Sequence, residues 1–539
     1  MATETARRAA SAKSPDLDKF RLRRFVERLI DMGEVEVHDE AVALAHVSPI
    51  VEATDKAVLF RKAGPERCEL VANVMGGRRR LAAALEATED TVVATFQRRL
   101  DNPQPMVEIQ QGKAPVQDVV LTGKDADFTR LPFHPQHEYD GSVYLTSGID
   151  YIVDPESGLT NVGCRRLSLR GRQECLTNIT APSHLREIFK KCVARGERLP
   201  VSFTCGAHPI DFMAAGMRIR TDEVAFIGTL RGEPVPLVKC VTNDIRVPAD
   251  AEIVIEGYFD ERGYIEPEGP YGEYMGFYGP VHLDPIFHLT AITMRKDALH
   301  QTLLHGSGRI LGRMESAQLG AIRLEAEAVR ALRPMGIEVL DVYQLPYSGE
   351  GQHIRVRIRQ TVPGQGRRVI AGLFAALPPL KHIFVVDEDI DIRSEDQMDW
   401  ALGTRFQADR DLVIYDGMIG MPMDPSLDGR PLGAKAGFDL TRPVGRNWSV
   451  ATTVSGAKTT YGEARYQTVH QALESAPHFF THLMESVGSR DGREVALALD
   501  ELRRSGRLGR DADGRYHLAA GEPGRTAQVG PRGHDPNEP

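Results

Sequence analysis

Between residues 16 and 33 the apolar positions fall at helical spacing. Leu22, Phe25, Val26 and Leu29 make an i, i+3, i+4, i+7 stripe that starts after Pro15-Asp16 and stops at Gly33. The spacing predicts a first helix packed on a domain face. From Ser142 the period drops to two: Val143, Leu145, Ser147, Ile149, Tyr151 and Val153 share one side of an extended segment. Asp154-Pro155-Glu156-Ser157-Gly158 then supplies a turn, and a second strand begins near Leu159. A helix follows over Ser183–Ala194, with Leu185, Ile188, Phe189 and Cys192 on its stripe and Ser183 as N-cap, which puts His184 in the first turn. Short β-rich runs at Val235–Cys240, Glu252–Tyr258 and Phe287–Met294, separated by Gly/Pro loops, predict a barrel-like or mixed sheet.

After Glu315 helix and strand alternate. A long helix runs to about Leu332, His353–Arg359 alternates, and Ile383–Asp387 and Gln397–Arg405 follow, which predicts a separate α/β domain over 315–480. An amphipathic helix at Glu494–Arg504 and a hairpin turning at Asp513-Gly514 make an extension over 481–518. Segments 1–15 and 519–539 carry no pattern that buries a face and are expected to be disordered tails. The region 16–314 is then an N-terminal α/β unit that holds the barrel.

With 539 residues, 42% of them apolar, the chain can bury a large core. Its net charge of -9 comes from 66 basic and 75 acidic residues well mixed along the chain, so nucleic acid is not an expected partner. No run approaches the roughly 18 apolar residues of a membrane span. The six cysteines are scattered without a CxxC pair, which predicts reduced thiols and a cytoplasmic setting.

Three stretches have unusual chemistry. EPEGPYGEYMGFYG, Glu266 to Gly279, sets two carboxylates, Glu268 and Glu273, around Gly-Pro-Tyr-Gly on a tight loop, where the alternative is a solvated turn. LTNVGCRRL, Leu159 to Leu167, offers a glycine for close backbone approach and two arginines for an anion. In an ideal strand Asn161 and Arg166 face opposite ways, so a shared site needs a bulge, and solvated edge arginines are the alternative. His184 at a helix N-terminus faces N–H groups that favour phosphate, or it only caps and packs. Glu223 in RTDEVAFIGTLRGE is expected at the polar start of a buried strand.

Together, and in this order, these motifs resemble the UbiD family of reversible decarboxylases that use prenylated FMN. The likeness is strongest from about Thr146 to Gly279 and continues through VVDEDIDI (Val385–Ile392) to LGAKAGFDLT, ending at Thr441. The resemblance implies a split β-barrel that binds the flavin, with its core at about 115–305, and a C-terminal α/β oligomerisation domain. Asn161, His184 and Glu223 match the family's metal ligands, which hold a divalent ion, usually Mn2+, against the cofactor phosphate; K+ is a further candidate ion. Arg166, Glu268 and Glu273 match the catalytic triplet. Gly163, Cys164, Arg165, Arg166, Ser183 and Met217 join the metal ligands as cofactor contacts. His305 and Arg313 are candidates for the substrate pocket, and they point to a heteroaromatic acid; the alternative is that they salt-bridge between domains.

The chemistry accounts for these residue types. Loss of CO2 leaves carbanion character that only a cofactor can take up. The vacated carbon then needs a proton from a carboxyl group, a role assigned to Glu273, with Arg166 paired to Glu268. The same likeness implies dependence on a flavin prenyltransferase and assembly as a homodimer or larger homo-oligomer. A flavin-dependent reductase and a non-catalytic scaffold are the competing readings, and neither needs the whole triplet.

Overall fold

The computed structural model describes residues 15–217, 219, 222–349, 351–444 and 454–519. Apart from Pro15 and Ala519, the expected tails lie outside these residues. The first helix, α1 (Leu22–Asp31), buries Leu22, Phe25, Val26 and Leu29 as the spacing predicts. Beyond it, Val35–Val42, Ala57–Ala63 and Cys68–Ala72 form a small sheet that the later segment His300–Thr302 joins.

Six strands then close on themselves. They are β1 (Tyr144–Val153), β2 (Thr160–Leu169), β3 (Glu174–Thr177), β4 (Leu199–Cys205), β5 (Ile253–Phe259) and β6 (Ile286–Met294). The ring runs β5-β4-β1-β2-β3-β6 and returns to β5, with Val119–Thr122 added on β6. Closure pairs each of the six ring strands on both sides, and the twofold period sends the two faces of each strand to different cores. Leu145, Ile152, Leu167, Phe203, Ile255 and Phe287 share one core with Leu185, Ile188 and Phe189 of α2 (His184–Ala194). Ile149, Tyr151 and Val162, on the opposite face, pack with the helices of the other core.

Two of those helices are α3 (Pro209–Ala215) and α4 (Glu223–Arg231). The strand expected from Glu223 is therefore a helix. Asp222 caps it, accepting from the N–H groups of Val224 and Ala225 at 3.1 Å each, and Gly232 ends it at φ +75°. Arg231 locks the far end of α4. Its guanidinium donates to Asp211 of α3 at 2.8 and 2.6 Å and to Asp250 at 2.6 Å, and all three side chains are buried. Arg231→Met is expected to strand two buried carboxylates and to cost about 3–5 kcal/mol in urea unfolding. A loss within experimental error would show that the network does not hold α4.

After α5 (Glu315–Leu332) comes a mixed five-stranded sheet. Its strands are β7 (Glu338–Gln344), β8 (His353–Arg359), β9 (His382–Val386), β10 (Leu412–Ile419) and β11 (Leu432–Asp439), in the order β7-β8-β9-β11-β10. Helices α6 (Gln365–Ala376) and α7 (Glu395–Arg405) lie along the parallel connections, as an α/β pattern requires. This sheet has its own core, yet it is less separate than expected. Along α5, Ala317 packs under the first sheet, Ile322 and Ala326 join the helices beside the barrel, and Ala328 and Leu332 enter the core of the second sheet. The described residues to Thr441, apart from two short segments, accordingly form one compact unit.

The second unit contains α8 (Val469–Ser475), α9 (Phe480–Val487), α10 (Arg493–Arg504) and the hairpin Leu508–Arg510 with Tyr516–Leu518. The helix and hairpin expected over 481–518 are present. The expected boundary at 480/481, however, falls at the head of α9, and α8 shares one core with α9 and α10 through Val469, Leu473, Leu483, Val495 and Leu499. That packed unit therefore reaches back at least to Val469. The six cysteines are free thiols. No helix among the described residues is long and apolar enough to cross a membrane.

Candidate active site

Strand β2 carries residues of two polar clusters. At its start, the Asn161 amide donates to Glu223 Oε2 at 2.5 Å and the Val162 N–H donates to the same oxygen at 2.6 Å. His184 opens α2 and brings Nδ1 to 3.5 Å from Glu223 Oε1. Ser183 caps that helix as expected, accepting from the Arg186 N–H at 3.2 Å. The three proposed metal ligands thus meet on one carboxylate, delivered by a strand and two helix N-termini. Burial pushes the Glu223 carboxyl above its ordinary range, against the opposing pull of the Val162 N–H, His184 and Asn161.

These residues suit a divalent cation. A buried carboxylate between an amide and an imidazole gains most from a formal positive charge, and turning the Asn161 amide presents its oxygen to an ion. The resulting O, N, O donor set matches Mn2+ or Mg2+ chemistry.

Next along β2, the Arg165 Nε lies 3.1 Å from the fully buried Asp150 of β1, and Nη1 donates to the Cys164 carbonyl at 2.9 Å. Burial pushes the Asp150 carboxyl up to about 6, with Arg165 opposing and Glu223 adding to the rise. A Cβ on Gly163 would stand 2.9 Å from Asp150 Oδ1, so only glycine leaves that carboxylate its place. Cys164 is exposed, and Met217 packs half-buried against the helical core.

The second cluster is built on Arg166. Its Nε and Nη2 donate to the two oxygens of Glu268 at 3.1 and 3.0 Å, and its Nη1 donates to Glu273 at 2.9 Å. The guanidinium lies over Tyr271, 4.2 Å from the ring centre. Burial would lower its pKa, but the two carboxylates more than reverse this and hold it above its ordinary value. The expected pairing with Glu268 is present, and Glu273 is a second partner. The anticipated ladder irregularity is also found, on the facing strand: the β1–β2 register shifts between Leu145 and Gly148, leaving Thr146 and Ser147 across from Arg166.

The Glu266–Gly279 stretch is more ordered than a loop. Glu268 ends a short strand, Glu266–Glu268, that pairs with His282–Asp284. Glu273 follows Tyr271–Gly272, which pairs with Tyr278–Gly279. Gly279 has no side chain to spare, since a Cβ there would come within 2.9 Å of Glu273 Cγ.

The two substrate candidates have different surroundings. His305 is half-buried, with Nδ1 3.2 Å from the Ser316 hydroxyl, and its pKa falls to about 4 through desolvation first and then through His137 and Arg166. It is therefore a neutral ring near the triplet. Arg313 bonds the carbonyls of Thr54 and Glu52 and pairs with Asp55 at 2.8 Å, so much of its donor capacity is already engaged there.

Sequence reasoning missed Asp150, Tyr271 and His282. The signals were a lone carboxylate in the apolar run Gly148–Ile152, an aromatic ring between Glu268 and Glu273, and a His-x-Asp pair on the strand after Gly279.

A closed barrel holds one arginine, five residues downstream of Asn161 on β2, forked between two buried glutamates, an arrangement suited to a carboxy-lyase. Residues 107–308 match the 3-octaprenyl-4-hydroxybenzoate carboxy-lyase Rift-related domain, and residues 317–440 match the C-terminal domain of the same family. The chain belongs to the UbiD family. It is 29% identical over 425 residues to the anhydromevalonate phosphate decarboxylase of Methanosarcina mazei, covering 78% of this chain and 96% of that protein. Its fold matches the UbiD-class enzyme HmfF from Pelotomaculum thermopropionicum in complex with FMN, with a TM-score of 0.76 and 29% identity over 81% of this chain and 97% of that one. An evolved dimeric form of HmfF in complex with prFMN gives a TM-score of 0.72 at 28% identity, covering 80% of this chain and 96% of the other. Membership decides between the lyase and reductase readings in favour of the lyase.

Proposed function

We propose that the chain catalyses reversible, non-oxidative decarboxylation of an aromatic, heteroaromatic or α,β-unsaturated acid with prenylated FMN and a divalent metal, Mn2+ foremost. The observation that carries this reading is the Arg166 fork between Glu268 and Glu273. The two clusters on β2 are five residues apart, about 17 Å along extended backbone, a separation suited to a cofactor held by its phosphate at one end and reacting at the other. Asn161, His184 and Glu223 would hold the metal and, through it, the phosphate, with Ser183 at the α2 N-terminus beside them. Gly163, Cys164, Arg165 and Met217 would line the flavin between. When bound, the modified flavin supplies the electron sink for loss of CO2.

The residues of this chain do the rest. Arg166 orients both carboxylates, and Glu273 delivers a proton to the carbon that CO2 leaves. His305, neutral and half-buried, offers a hydrogen bond to a substrate with ring heteroatoms, which favours furan, pyrrole or indole carboxylates; Arg313 is retained as a second, outer contact. A homodimer or larger assembly through the C-terminal sheet is supported by edge strand β10, where Ile414 and Ile419 are exposed.

Protein produced beside a flavin prenyltransferase is expected to carry one modified flavin and one divalent metal per chain. It should turn over furoic, pyrrole-2-carboxylic or indole-3-carboxylic acid faster than cinnamic or hydroxybenzoic acid, and His305→Ala should reduce that preference. Cofactor mass and visible spectrum, elemental analysis and CO2 release test each part. Loaded protein inert towards every acid overturns the activity; a cinnamate preference unchanged in His305→Ala overturns the substrate class alone.

A further inference from the structure

The strand paired with Glu266–Glu268 carries two ionisable groups that the catalytic triplet does not use. His282 stands directly across the ladder from Glu268, and Asp284 lies two residues on, on the same face. The Glu268 and Asp284 side chains are fully buried, whereas that of His282 is 22% exposed, so water reaches the group through the imidazole. Its Nε2 lies 3.7 Å from Glu268 Oε2, and its Nδ1 lies 2.9 Å from Asp284 Oδ2.

Asn178 fixes the tautomer. Its Oδ1 accepts from both the N–H and the hydroxyl of Thr180, at 3.1 and 3.0 Å, which leaves Nδ2 to donate to His282 Nε2 at 3.1 Å. The neutral ring therefore carries its proton on Nδ1, the nitrogen 2.9 Å from Asp284 Oδ2, and the other Asp284 oxygen accepts the Ile179 N–H at 3.2 Å. Asp284 lifts the His282 pKa above its ordinary value; burial opposes this, Glu268 adds to it and Arg166 subtracts. Burial raises the Asp284 carboxyl in turn, with His282 opposing and Glu268 adding. Glu268, His282 and Asp284 are also close enough to share a metal, but an ion there would compete with Arg166, which already holds both oxygens of Glu268. A proton needs no such displacement.

We infer that His282, seated on Asp284, is a positioning residue that divides Arg166 between its two glutamates according to pH; the inference rests on the carboxy-lyase reading above. While His282 is neutral, Arg166 alone holds Glu268, through both oxygens. When Nε2 takes a proton from water, it gives up the Asn178 donor and turns its new N–H on Glu268 Oε2. Two cations then share that carboxylate, and the guanidinium is released towards Glu273, the proton donor of the reaction. The proton enters and leaves at the exposed edge of His282, so nothing is oxidised and no group is transferred.

The test uses the flavin-loaded enzyme with an acid that it turns over. The parent's kcat profile should show an ionisation above about pH 6.5, the ordinary histidine value. His282→Gln should remove that ionisation, and Asp284→Asn should move it down by about one pH unit or more, the effect of losing a carboxylate at this range. NMR of histidine-labelled protein, with the His282 signal assigned by its absence in His282→Gln, follows the same group without turnover. That signal should titrate lower in both Asp284→Asn and Glu268→Gln than in the parent. An unchanged kcat profile in His282→Gln, or a His282 titration indifferent to Glu268→Gln, overturns the inference and leaves the carboxy-lyase reading standing. If the loaded parent turns over no acid, the carboxy-lyase reading fails instead, and the NMR titrations still decide whether His282 and Glu268 are coupled.

Discussion

Glu273→Gln is expected to lower kcat by about 10²–10⁴-fold, the range of a positioned general acid, while leaving the flavin and metal in place. The substitution removes the transferable proton and keeps the volume. Three features confine its effect to chemistry. Glu273 takes a single bond from Arg166, its backbone is fixed by its own N–H donating to the Phe277 carbonyl at 2.8 Å, and it has no part in the Asn161–His184–Glu223 cluster. The backbone anchor is independent of the carboxyl group, because the Glu273 N–H to Phe277 bond and the Gly276 N–H returning to the Glu273 carbonyl at 2.9 Å both survive the change. A stopped-assay rate with the flavin spectrum recorded on the same sample separates the outcomes. Loss of flavin together with activity would make Glu273 a structural residue, and a rate indistinguishable from the parent's would remove it from proton transfer.

Glu223→Gln is expected to weaken metal binding by about 100-fold or more, since even a change behind a ligand costs up to that much. Glu223 is the carboxylate on which Asn161, His184 and the Val162 N–H converge. An amide in its place removes the anionic charge and leaves a single oxygen to serve both the Val162 N–H and an ion. The α4 helix itself should persist, because Asp222 caps one end and Arg231 ties down the other. Elemental analysis and circular dichroism of the purified variant check both halves. Metal retained at the parent's stoichiometry would take Glu223 out of the ligand set.

The barrel was legible because aliphatic residues alternate into and along β1, Val143, Leu145, Ile149 and Val153, with smaller or polar residues between several of them, even though both faces of the strand are buried. Val143 to Val153 and the turn after it gave β1, its partner and the position of Asn161 on β2. The helix at Ser183 was legible for the complementary reason, with a cap and a four-residue stripe. Glu223 misled because α4 buries Val224, Ile227, Gly228, Thr229 and Leu230 on several sides, so no polar face marks its period and the apolar run resembles a strand. Only the Asp222 cap distinguishes the two, and its bonds to Val224 and Ala225 decide for helix. The packing of α8 was missed because a seven-residue helix carries too little of a pattern to show which neighbours it joins. The candidate site residues were singled out through motif order, whereas the Arg166 bond to Glu273 and the approach of His282 depend on strand pairings between distant segments, which periodicity does not report.

Tyr271 lies under Arg166, and its hydroxyl donates to Gln136, whose amide donates in turn to the Thr146 hydroxyl at 2.9 Å and the Leu303 carbonyl at 2.8 Å. The arginine is thus clamped from two carboxylates and one ring, and the ring is clamped from the bulge on β1. Lysine at this position would keep the charge and lose the fork and the stacking plane together. A change at Tyr271 or Gln136 would therefore reach the guanidinium through the ring that lies against it, without touching any group that bonds the arginine directly.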